Sequence, residues 1–283
     1  MNDLPEDERE RDESTVRDQK RYRLTGRELW LTQLSPDGRL LVRIALYCAI
    51  IVLLGFCSVR VLFGGSTTSW NQRLTVIVDT PAGEVRGSSV VKISNTETMG
   101  PLVLMEARGV RSKTRGEAVA LEVLPGRWLF ALLSGDDDGK GNAGQLAYHA
   151  VRHGETHNPS DRNYEADMRD LRAQLRDTPA PIPPEAYPVL VTFDDITKPE
   201  TVREVDPSNL AATFGEGVRL RGMTLEVTAD RVSKGAVEDI LPWICRYRAM
   251  HQRLNGETGS VSAADKSLAN FTGTSAFLMR DCD

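Results

Sequence analysis

The feature that most constrains this chain is one apolar run, from about Val42 to Phe63, interrupted by a single charge at Arg60. From Ile44 to Val59 the residues IALYCAIIVLLGFCSV carry no charge. Counted on through Val61, Leu62 and Phe63, the run reaches the roughly 20 residues a helix needs to cross a ~30 Å hydrocarbon core. The sequence therefore predicts one transmembrane helix over 42–63, with Ile44, Leu46, Ile50, Ile51, Leu53, Leu54 and Phe56 as anchor residues in the lipid bilayer. Arg23, Arg27, Arg39 and Arg43 precede the run closely and Arg73 alone follows. That bias predicts an inside N-terminus, with residues 65–283 outside. A cleaved leader fits poorly, because a long polar segment comes first and no small-x-small site follows. Phe56, where a lipidation box needs a small residue, precedes Cys57.

Residues 1–41 read as a polar tail. Asp3, Glu6, Asp7, Glu8, Glu10, Asp12, Glu13 and Asp18 crowd its start, and bases dominate from Lys20 onward. Too little apolar surface is present there to offset the entropy of ordering, so the acidic tip is expected to be disordered. The whole chain carries a net charge of −5, which argues against nucleic acid as a partner. Of the four cysteines, Cys48 and Cys57 lie in the apolar run. Cys245 and Cys282 lie outside it, where an oxidising compartment permits a disulfide between them. No Cys/His zinc pattern is present, and no cofactor is expected.

Beyond the run the pattern is mixed α/β (α+β). Residues 70–135 read as a β-rich subdomain: LTVIV, SSVVKI, Leu102–Ala107, Ala118–Leu124 and Trp128–Ser134 are short strands bounded by turn residues. TVIVDTPAGEVRGSSV resembles the first hairpin of Ig-like modules. Residues 136–186 read as a helical segment, with candidates at Ala143–Val151 and Tyr164–Arg176, and a proline-rich connector over 178–184. Residues 187–283 read as an α+β subdomain: strands at Val189–Phe193 and Val218–Thr228, a short helix opened by Asp206 and Pro207, a helix at Val237–Trp243 and a last edge strand at Ser275–Met279.

Within that last segment, TFDDITKPETVREVDPSNLAATFGEGVRLRGMTLEVT combines an FDD turn, a VDPxxLAxxFG helix and a GV-x-L strand. In these features the chain resembles a family of proteobacterial single-pass, membrane-anchored periplasmic proteins that has no established activity. The resemblance runs from the apolar run onward. It implies an inner-membrane protein with a cytoplasmic N-terminus and periplasmic residues 65–283.

Arg152-His153-Gly154-Glu155-Thr156 resembles the phosphate-accepting motif of histidine phosphatases. By that resemblance His153 is a nucleophile and Arg152 a phosphate clamp. The context departs from that family: Asn158 is one place too close, and His251, the only later histidine, is followed by Gln252 rather than Gly. LAYHAV before it reads equally as a helix end closed by Gly154, where Arg152 and His153 would favour the helix dipole. His149, His153 and His157 recur at i, i+4 and i+8, and the first two could bind a metal on one helical face. Asp136, Asp137 and Asp138 lack the alternate spacing of a calcium loop. Asp194 and Asp195 read as a turn rather than an acid/base pair.

No convergent catalytic set emerges. The expected function is that of a non-catalytic accessory or scaffold protein binding another envelope protein. The alternatives are a phosphohydrolase using Arg152 and His153, and a periplasmic ligand or metal sensor.

Overall fold

The computed structural model describes residues 36–63, 67–98, 109–134, 141–152, 164–262, 264–280 and 282. The chain divides into two units, Met1–Gly64 and Gly65–Asp283.

In the first unit, helix α1 spans Pro36–Phe63. The expected membrane span is corrected here: among the described residues no helix is long and apolar enough to cross a membrane. Asp37, Arg39 and Arg43 occupy the first turns of α1 and Arg60 its last, leaving Ile44–Val59 as the uncharged stretch. At ~1.5 Å per residue that stretch covers about 24 Å, short of a ~30 Å hydrocarbon core. The single-pass topology, the inside–outside orientation and the inner-membrane placement rested on that span and fall with it. The expected anchor residues Ile44, Leu46, Ile50, Ile51, Leu53 and Leu54 are exposed side chains of α1; the side chain of Phe56 lies outside the described ones.

The second unit is an α+β domain with two antiparallel sheets. β1 (Thr67–Thr80) and β2 (Gly83–Thr98) form a long hairpin in register from Thr67↔Thr96 to Thr80↔Gly83. Pro81 supplies a fixed φ at the turn, and Gly83 takes φ +127°, a conformation L-residues rarely adopt. Along β1, Trp70, Gln72, Leu74, Val76 and Val78 are buried while the residues between them are not. This period of two points one face of the strand at the core.

β3 (Gly109–Arg115) extends the hairpin on one side. β9 (Arg219–Thr228) pairs with β1 on the other. β6 (Ala180–Pro181) closes the sheet, giving the order β3-β2-β1-β9-β6. The proline-rich stretch expected as a connector is thus an edge strand. Ile182 N–H donates to Met223 O at 3.0 Å, and Pro179, Pro181 and Pro183 occupy the alternate positions, where no N–H is needed. Because β9 pairs with β1, segments 70–135 and 187–283 share one sheet. The boundaries expected at 135/136 and 186/187 fall inside one compact unit.

The second sheet has the order β4-β5-β7-β8, from β4 (Val119–Leu124), β5 (Arg127–Ala131), β7 (Leu190–Phe193) and β8 (Val202–Glu204). Helices α2 (Leu146–Arg152) and α3 (Tyr164–Gln174) cover the core with Leu146, Ala147, Ala150, Met168 and Leu171, followed by buried Leu175. α4 (Ala211–Phe214) starts later than the Asp206 signal suggests. The Asp206 carboxylate instead accepts Ser208 N–H at 2.8 Å within a turn.

The Val237–Trp243 helix is two short ones, α5 (Ala236–Ile240) and α6 (Ile244–Ala249). α7 (Leu268–Phe271) follows. The expected final strand is one short turn at Thr274–Ala276 and a single bridge, Glu117↔Leu278. Phe277 there has no exposed surface and stacks edge-on against Phe130 at 5.6 Å. Phe193 lies 5.8 Å from both Phe277 and Trp243.

Candidate functional site

The residues singled out for catalysis do not converge. Arg152 is exposed at the end of α2. His153 and His157 lie outside the described residues, as do Asp136, Asp137 and Asp138. His149 is half-buried, with Nδ1 lacking a hydrogen-bond partner among the described residues. Burial pulls its imidazole below the ordinary histidine range, opposed by Glu185.

Asp194 pairs with Arg203 at 2.5 Å. Asp195 accepts Thr197 N–H at 3.0 Å and Thr197 O–H at 2.7 Å and pairs with Lys198. Those bonds, led by the Thr197 hydroxyl, hold its carboxyl below the usual range. Both aspartates therefore build the turn after β7.

Cys245, on α6, and Cys282 are joined by a disulfide with Cα atoms 5.8 Å apart. Glu238 of α5 sits beside it: Cys245 Sγ lies 3.4 Å from Glu238 Oε1, and Arg280 pairs with the same carboxylate. The three potential ligand atoms of Glu238, Cys245 and Cys282 fall within 4.8 Å of one another. With both sulfurs in a disulfide, no thiolate is offered to a metal. Next to the disulfide opens a cleft of 680 Å³, lined by Arg248 of α6, by His251 and Arg253 just after that helix, and by Thr274 and Ser275.

A second feature lies on the outer face of the larger sheet. At one end of that face, Arg219 and Arg221 pair with Asp79, Arg221 and Arg86 pair with Glu84. A register shift at Ile77/Val78 leaves Arg221 as the extra residue of β9, and such a bulge re-aims its side chain. Midway, Arg73 pairs with Glu226 and Asp230.

At the other end the balance is lost. Arg111, Lys113 and Arg115 alternate along β3, opposite Thr96, Ser94 and Lys92 of β2. All four bases are exposed, and none has an ion-pair partner among the described residues. β3 is also the last strand on its side, so its outer backbone groups have no strand partner among the described residues.

Sequence reasoning missed this strip because no strand was expected at 109–115. The signal was present as R-S-K-T-R, bases at every second residue, which only a strand places on one face. Comparison with protein-family models, curated proteins and solved structures finds no match to this chain.

Proposed function

We propose that this protein is a non-catalytic interaction module that docks an acidic, extended segment of a partner protein on the β3 edge. The observation that carries this reading is the strip of Lys92, Arg111, Lys113 and Arg115, uncompensated among the described residues, on a face where the other cation clusters have carboxylate partners. Charged side chains on an edge strand also deter unwanted pairing. Edge protection alone does not require Lys92, which sits one strand inward. An added strand satisfies the open N–H and C=O groups of β3, and its alternate acids meet the alternate bases. The net charge of −5 disfavours a nucleic-acid partner.

The test is fluorescence anisotropy with a labelled Asp/Glu-rich peptide of about eight residues, ~26 Å when extended. Saturable binding that weakens with salt and is lost in Arg111→Glu/Lys113→Glu is expected. Both positions are exposed, so the fold should survive the change. No saturable binding, equal binding by the variant, or equal binding of an oligonucleotide of the same charge would sink the reading.

A further inference from the structure

Helix α6 ends in paired backbone bonds, His251 N–H to Arg248 O at 3.1 Å and Gln252 N–H to Tyr247 O at 2.9 Å. This is the Schellman arrangement, in which the residue after the cap takes a left-handed backbone and is usually glycine. Here it is His251, at φ +52°. A side chain bearing a Cβ is disfavoured in that conformation, so glycine would close the helix with less strain. What glycine would lack is the imidazole, and His251 is among the residues that line the cleft. A residue kept at a strained backbone position beside a cleft points toward a role in binding.

We propose that this cleft is a binding site for a small oxyanion-bearing ligand, a carboxylate or a phosphate, with His251 and Arg248 as its main donors. Arg248 gives Nη1 to Leu278 O at 2.5 Å; a guanidinium carries five N–H donors, so others remain for a ligand. Arg253 is fixed by Gly259 O at 2.5 Å and Ser260 O at 2.7 Å. Those neutral carbonyls orient its charge without cancelling it, and its nearest carboxylate partner, Glu257, stands 3.8 Å away and outside the cleft lining.

Among the described residues no aspartate or glutamate lines the cleft. Thr274 and Ser275 bring two hydroxyl-bearing residues to the lining. A bare ion would not fill 680 Å³, a volume typical of sites for small organic molecules. Ala249 and the disulfide-bonded Cys245 and Cys282 line the rest of it, an apolar surface for the remainder of such a ligand. The site is separate from the β3 strip and stands without it.

The full-length chain is titrated calorimetrically with inorganic phosphate and, separately, with succinate, at fixed pH and ionic strength. Wild type should bind at least one of them at a single saturable site. His251→Gly should weaken that binding about tenfold, the scale of one hydrogen bond to a charged group. Its melting temperature should stay level or rise. His251→Asn, also tolerant of a left-handed backbone, should show the same loss of affinity. Binding of phosphate alone assigns a phosphorylated ligand, and of succinate alone a carboxylic acid. No saturable binding of either, or unchanged affinity in both variants, overturns the assignment.

Discussion

The carboxylate of Glu117 accepts the backbone N–H of Val237 at 3.3 Å, although the residue is only 1 % exposed. This contact ties the start of β4 to the first turn of α5. Burial raises the Glu117 pKa above its ordinary 4.5, while Val237 N–H, Arg280 and Ala236 N–H pull it back. Between 4.5 and the raised folded value, the folded protein keeps a proton that the unfolded chain has released. Stability from this group is therefore present at low pH and declines as pH rises through that window. Urea midpoints measured across the window should fall for wild type. In Glu117→Gln, which keeps an acceptor for Val237 and has no proton to lose, that part of the slope should vanish. An unchanged slope would show that another group sets it.

The Cys245–Cys282 bond closes a loop of sequence separation 37 and holds the C-terminal end against α6. Chain-entropy reasoning puts the stabilisation at about 4 kcal/mol for a loop of this size, with 2–4 kcal/mol typically found. Cys245→Ser/Cys282→Ser should therefore lower the unfolding free energy by about 2–4 kcal/mol. Wild type under a dithiol reductant should fall by a similar amount. If reduction leaves the denaturant midpoint where it was, the staple does not carry this load.

The parts of this fold that were legible in the sequence are those whose cause is local. The short β-branched run Leu74–Val78 and the turn residues of Asp79–Gly83 marked the hairpin, and the spacing of Tyr164, Met168, Leu171 and Leu175 marked α3. Where the cause is a distant partner, local reading went astray. Ala180 and Ile182 form an edge strand only because β9 presents carbonyls to them, and no window around 178–184 contains that information. Asp206 looked like a helix cap until its own Ser208 took the carboxylate. The apolar run misled because its uncharged stretch, Ile44–Val59, is shorter than the run counted on to Phe63. Of the candidate cleft, only the cysteine pair was visible in advance. His251 drew notice solely for lacking a following glycine, whereas its meaning lies in the backbone angle it adopts.

Phe277 joins the C-terminal end to the second sheet through Phe130 at 5.6 Å and Phe193 at 5.8 Å. It has no exposed surface, and edge-on aromatic contacts add to the free energy of burial. Phe277→Ala should cost about 3–5 kcal/mol, the range for a buried phenylalanine that leaves a cavity. Phe271→Ala, in the exposed position of α7, should change stability by less than about 0.5 kcal/mol. Paired denaturant titrations of the two variants separate core from surface directly. Equal losses would mean that the C-terminal ring is not part of the core.

Gln72 sits among the inward-facing apolar residues of β1 with 1 % of its surface exposed. Its Oε1 accepts Trp70 Nε1–H at 3.0 Å, and its Nε2 donates to Ala143 O at 2.7 Å. The amide thus joins the indole to the backbone just before α2 and leaves neither group unpaired. Gln72→Leu is similar in size and more apolar, so area burial alone would favour it. Against that gain stand two orphaned groups, each costing about 1–3 kcal/mol when left buried and unbonded. The second effect should win, with a net loss of about 1–4 kcal/mol in chemical denaturation. Hydrogen exchange should localise the loss: amides of α2 near Leu146 and Ala147 should lose protection more than those of β7, which does not depend on this link. A stabilised Gln72→Leu would mean that relaxation or water satisfies both groups.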